Sequence, residues 1–294
     1  MHKSIRYHIL TVGVRVALSL LAASSVANAQ QGAHNTPTQL DLYCSGIVTD
    51  QPVDNKLYII SGEDSGYKST FSHGDSIYIN SGSEQGVRVG DQFDVIRAVK
   101  DEMAVTPWFK YQNRLSRAMG TRYADIGRLR VVHVDGKTST AEVSMSCDLF
   151  QRGDIVYRFV ARPVPQFHNI KLDPFAAPSG KKTAMVVSAK DSMVLDGPGK
   201  IIYVNLGNQQ GVRIGDYFRV FRYQGSYAET NYQVKNSSYK LAGYGGTPVP
   251  YLWNNLPRQI LGEGIVLRVG PNAATVLLTN AREEIYAGDY VEVE

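Results

Sequence analysis

Apolar positions along most of this chain recur with a period of two. Ile77 and Ile79 alternate with Tyr78, Phe93 and Val95 with Asp94 and Ile96, and Leu129 and Val131 with Arg130 and Val132. That period is the signature of β-strands. Apolar residues on both alternations predict strands covered on both faces, as in a closed barrel or a sandwich. Turn-forming residues break the runs at short intervals: Ser81-Gly82, Gly86, Gly90-Asp91, Asp135-Gly136 and Gly153-Asp154. Glycine reaches positive φ at little cost and aspartate bonds the turn backbone, so these punctuate hairpins.

The pattern occurs twice. Residues 77–97 read IYINSGSEQGVRVGDQFDVIR and residues 202–222 read IYVNLGNQQGVRIGDYFRVFR, identical at thirteen of 21 positions without a gap. Self-similarity of this length marks duplication of a structural unit. Weaker matches flank it: Ser61, Asp64 and Ser65 with Ser188, Asp191 and Ser192, and Ile126-Gly127 with Glu263-Gly264 as openings of an alternating segment. Each copy closes on Gly-Asp before an apolar strand, at Gly153-Asp154 and Gly288-Asp289. Gly86, Gly90 and Asp91 in copy one, and Gly211, Gly215 and Asp216 in copy two, are read as structural turns, as are the two closing Gly-Asp pairs.

The expected fold is therefore all-β: two tandem small antiparallel β-barrels of about five to seven short strands, closed to remove their edges. The first spans 41–160 and the second 183–294. A proline-rich linker, 161–182, carries Pro163, Pro165, Pro174 and Pro178 and suits an extended connector. Each copy also holds an insertion. The first, around 99–125, has helical spacing from Trp108 to Met119. The second, around 223–261, is rich in tyrosine, glycine and asparagine.

The first 29 residues change the picture of charge. Lys3 and Arg6 precede an apolar stretch that ends in Ala27-Asn28-Ala29, which predicts a secretory signal cleaved after Ala29. An uncleaved signal would be the chain's only contact with a membrane. Residues 30–40 are polar and expected to be disordered. The full chain has 31 Lys and Arg against 27 Asp and Glu; without Lys3, Arg6 and Arg15 the balance is 28 against 27. A near-neutral protein gives no electrostatic reason to bind nucleic acid. Export to the periplasm or beyond favours a disulfide between the two cysteines, Cys44 and Cys147, over two buried thiols.

The signature Gly-Val-Arg-[Val/Ile]-Gly-Asp-x-Phe-x-Val-x-Arg after an apolar strand resembles the C-terminal domain of flagellar assembly protein T. Tyr43-Cys44-Ser45-Gly46 near the start and the run from Leu261 to Arg268 near the end are similar to uncharacterised acidobacterial envelope proteins, some labelled LysM-like. The second resemblance covers nearly the whole mature chain, the first only each barrel core. Together they imply a non-enzymatic, envelope-associated module with no catalytic residues.

The residues agree with that expectation. His34, His73, His133 and His168 are scattered, with neither His-Glu-x-x-His nor Cys-x-x-Cys, so neither metal nor cofactor is expected. There is no Gly-x-Ser-x-Gly elbow. Ser179-Gly180-Lys181-Lys182-Thr183 lacks the earlier glycine and the strand of a phosphate loop. The repeated acids read as turns rather than hydrolytic pairs, and Arg88 and Arg213 as partners of an acid on their own barrel. The candidate binding residues are aromatic: Trp108 in the first insert, and Tyr232, Tyr239, Tyr244, Tyr251 and Trp253 in the second. They suit contact with an envelope protein or stacking on a cell-wall glycan, or they cap their own barrel.

Overall fold

A computed structural model describes residues 36–99, 112–168, 171–191, 197–224 and 257–294. The predicted signal, Trp108 and the candidate residues of the second insert lie outside them. Residues 39 and 40, expected to be disordered, are helical. Thr38 caps helix α1, Gln39–Tyr43, its Oγ1 accepting from the Asp41 N–H at 3.1 Å, and Asp41 answers by accepting from the Thr38 N–H at 2.9 Å. This reciprocal capping satisfies donors a short helix would otherwise leave open.

Copy one comprises β2 (Ile59–Gly62), β4 (Ser76–Ile79), β5 (Gln92–Ala98), β6 (Thr121–Val134), β7 (Ser139–Ser146) and β9 (Ile155–Arg158), with β1 (Ile47–Thr49) added on β6 and a ribbon of β3 (Thr70–Phe71) and β8 (Phe150–Gln151). Copy two comprises β10 (Thr183–Ala189), β11 (Ile201–Val204), β12 (Tyr217–Arg222), β13 (Gln259–Val269), β14 (Ala274–Ala281) and β15 (Tyr290–Val293). The strand order is the same: β2-β4-β7-β6-β5-β9 against β10-β11-β14-β13-β12-β15. All pairings are antiparallel.

Copy two is a closed six-stranded barrel. Copy one is a curled sheet whose edges meet at the single bridge Tyr58↔Ile155, with Ile59 N–H to Asp154 O (3.0 Å) and Gly153 N–H to Ile59 O (2.8 Å) beside it. The difference lies in the closing strand. β10 has seven residues and pairs with both β11 and β15, whereas β2 has four. Each copy has its own core, Ile77, Phe93, Val95, Leu129 and Val143 in one and Ile202, Phe218, Val220, Val266 and Leu278 in the other.

The pairing also corrects the register expected of the downstream halves. Val95 faces Gly127 and Val220 faces Gly262, so Gly127 corresponds to Gly262 and not to Gly264. A Cβ at Gly127 would lie 2.1 Å from Met145 O, and one at Gly262 would lie 2.4 Å from Asn280 O. The glycine is needed where the neighbouring strand's backbone crosses closely.

The two copies do not stand apart on their linker. A third core joins Leu42, Tyr43 and Val48 to Met119 of helix α2 (Gln112–Met119) and to Val187, Tyr203, Ile265 and Leu277 from the outer face of the second barrel. The linker is docked on both copies: Arg162 donates to Leu42 O and to Asp94, and Arg219 to Ala177 O.

Candidate functional site

The repeated acids are the most conspicuous candidates for chemistry, and each has a partner. Arg97 holds Asp154 through Nε (2.7 Å) and Nη2 (2.8 Å), and Arg222 holds Asp289 through the same atoms at 2.7 Å each. Each arginine also donates to the carbonyl of the preceding turn, Leu149 or Glu284. Each aspartate accepts a turn N–H as well, from Gln151 or Tyr286, both at 2.8 Å. The Arg near the end of the repeated strand thus clamps the Gly-Asp turn before the last strand. Asp91 and Asp216 accept the N–H of Arg88 (3.1 Å) and Arg213 (2.8 Å) across turns whose Gly90 and Gly215 have φ of 92° and 91°.

Other polar identities kept between the copies have such a role. Asn80 and Asn205 both accept, at 2.7 Å, a backbone N–H of the facing segment, from Tyr58 just before β2 and from Met185 within β10. Gln85 and Gln210 both cap the Gly82 and Gly207 N–H at 2.8 Å. Arg88 and Arg213 depart from expectation. Their side chains are exposed and make no ion pair with the described residues; only their backbone meets the acid. Beside them Val89 and Ile214 are also exposed.

The junction between the copies is the densest polar site. Arg268 Nη1 donates to both oxygens of Asp125, at 2.9 and 3.1 Å, and Asp125 Oδ2 accepts the Gly46 N–H at 2.7 Å. Gly46 O accepts from Thr275 Oγ1 (3.2 Å), and Ser45 O from Tyr203 Oη (2.9 Å). Burial pushes the Tyr203 phenol far above its ordinary range. A Cβ on Gly46 would meet that phenol oxygen at 2.6 Å, and Gly46 has φ of 72°, so both space and backbone require glycine. Cys44 is bonded to Cys147, 103 residues away, with Cα atoms 5.5 Å apart. The predicted disulfide therefore ties the Tyr43–Gly46 segment to the first copy, while Tyr203 and Thr275 tie it to the second.

Beside the disulfide lies a cleft of about 310 Å³ lined by Arg122, Asp125, Cys147, Asp148, Lys190 and Tyr203. Three of its charged groups are engaged: Arg122 donates to Ala189 O at 2.8 Å, Asp125 is held as above, and Asp148 accepts the Leu149 N–H. Among the described residues, no three His, Cys, Asp or Glu side chains converge as metal ligands. No protein-family model and no curated protein matches the chain.

Copy one also presents an exposed aromatic side chain that hydropathy did not suggest. The loop of residues 63–69 carries Tyr67, 98% exposed, over a hollow of about 510 Å³. The only advance signals were Gly66 beside Tyr67 and the surrounding serines and threonines.

Proposed function

We propose that this chain is a non-catalytic, exported binding and scaffolding protein of the bacterial cell envelope. The observation that carries the reading is the fusion of the two copies through one shared core, which makes a rigid support. Both insertions leave that support at the same place in the repeat, between β5 and β6 and between β12 and β13. Gln224 Nε2 donates to Gln259 Oε1 at 2.6 Å and closes the base of the second. Loops on rigid scaffolds carry recognition disproportionately. The acids that would serve hydrolysis are held by arginines or turn amides, which favours binding over catalysis.

The test is crosslinking in intact cells from photoreactive residues placed at Trp108 and Trp253. Recovery of one defined envelope protein from both positions, with the crosslink from position 108 lost on Trp253→Ala, is the expected result. Turnover of a wall or peptide substrate by the purified protein, lost on changing one acid, would overturn the reading. A second reading, binding to a wall polysaccharide, is favoured by the exposed ring of Tyr67.

A further inference from the structure

Tyr67 has the greatest exposure of the large apolar side chains among the described residues. Single exposed apolar residues are ordinary, so the surroundings decide its meaning. The ring rises from a loop held in place by the fold. Asp64 is the one described non-glycine residue in the left-handed region, φ 56°, and its carbonyl accepts the N–H groups of Tyr67 (2.8 Å) and Lys68 (2.9 Å). Backbone held in a sparsely populated region persists where surrounding structure enforces it, and such places concentrate at binding sites.

The enforcing contacts are present. Arg152 Nη2 donates to Ser65 O at 3.2 Å, and Lys68 Nζ to Asp75 Oδ1 at 3.0 Å. Below the loop, the β3–β8 ribbon pairs Thr70 with Gln151 and Phe71 with Phe150, and both phenylalanines are fully buried in the first core. Gly62 makes room for this plug: a Cβ there would lie 2.4 Å from the Phe71 ring. The barrel of copy two carries no equivalent two-stranded ribbon among the described residues.

The hollow beside the ring is lined by hydroxyls, an amide and a guanidinium, from Ser65, Ser69, Thr70, Gln151 and Arg152. No second apolar side chain lines it. A peptide needs an apolar pocket for its anchor, and none is offered. A pyranose needs a flat ring for its C–H face and polar groups around the rim for its hydroxyls. Nearby charge is mixed, Lys68 and Arg152 against Glu63, Asp64 and Asp75, so nothing selects a polyanion.

We infer that Tyr67, with Gln151, Arg152 and the hydroxyls beside it, forms a binding site for an uncharged β-linked glycan. The site goes beyond the scaffolding reading and does not depend on the inserts or on a protein partner.

The experiment is calorimetric titration of the intact, disulfide-bonded protein with chitotetraose and, separately, cellotetraose. The two share a flat β-1,4 backbone and differ in the N-acetyl group, so the preferred one distinguishes a wall amino sugar from a plain glucan. Binding of at least one is expected, weakened about tenfold or more by Tyr67→Ala, roughly 1.4 kcal/mol, and kept by Tyr67→Phe. Since the ring is exposed, neither variant should alter the melting temperature. No binding of either glycan overturns the inference. So does binding that Tyr67→Ala leaves unchanged, including binding lost only with Trp253→Ala, which would place the glycan on the insert.

Discussion

Arg268 of the second barrel holds Asp125 of the first sheet through both carboxylate oxygens, at 2.9 and 3.1 Å, across 143 residues of sequence. The Asp125 side chain is 3% exposed and that of Arg268 13%, so neither charge can turn to water. Removing one partner strands the other. Asp125→Ala is expected to cost about 3–5 kcal/mol in chemical denaturation, the usual penalty for breaking a buried pair. The double variant Asp125→Leu, Arg268→Met should recover much of that loss. Equal damage in single and double variants would show that the pair does not act as a unit.

The disulfide fixes one end of the segment that this ion pair fixes at the other. Cys44→Ser with Cys147→Ser is expected to lower stability by about 2–4 kcal/mol, from freeing a long loop in the unfolded chain. The unreduced protein should show no free thiol by mass spectrometry. Two free thiols in the folded protein would remove this prediction altogether.

The duplicated Arg-Asp clamps are alike in geometry but not in burial. The Arg222 side chain is 8% exposed and that of Arg97 28%. Water can reach Arg97 once its aspartate is gone, so Asp289→Ala should destabilise more, about 3–5 kcal/mol against about 1–3 for Asp154→Ala. Thermal melts of the two variants side by side give the comparison, and the reverse ranking would contradict it.

How much of this was legible depended on the distance over which each feature is determined. Strands and turns are local: Phe93, Val95 and the Gly90-Asp91 turn announce a hairpin wherever they stand. The duplication carried the topology of one copy to the other. The junction is not local. Tyr78 and Tyr203 occupy the same place in the repeat, yet Tyr203 is 1% exposed against Ser45 and Tyr78 is half-buried. Nothing within either repeat distinguishes them; the third core does. Asp125 and Arg268 likewise belong to different copies and meet only because the copies pack. The Tyr67 platform went unread because a two-residue ribbon has no periodicity. The aromatic candidates of the inserts, Trp108, Tyr232, Tyr239, Tyr244, Tyr251 and Trp253, lie outside the described residues.

A final difference between the copies sets a pH dependence. Arg128 lies opposite Asp94 and bonds it at 2.9 Å, whereas the corresponding pair in copy two is reversed in charge, Glu263 opposite Arg219. Arg219 turns instead to Glu292, at 3.1 Å, and Glu263 is left 3% exposed with no side-chain hydrogen bond among the described residues. Burial, and then the Glu294 carboxylate, push the Glu263 carboxyl up to about 7 from its ordinary 4.5, against the pull of Arg219. An acid whose folded pKa is raised holds its proton after the unfolded chain has released it. Between about pH 4.5 and 7 the unfolded state therefore binds fewer protons, and stability falls as pH rises through that window. The loss is complete above it and on the order of 3 kcal/mol. Glu263→Gln, which cannot ionise, should leave stability near pH 4 little changed and raise it near pH 8. Denaturation midpoints across that range test this. Parallel pH profiles for the two proteins would mean that Glu263 titrates normally.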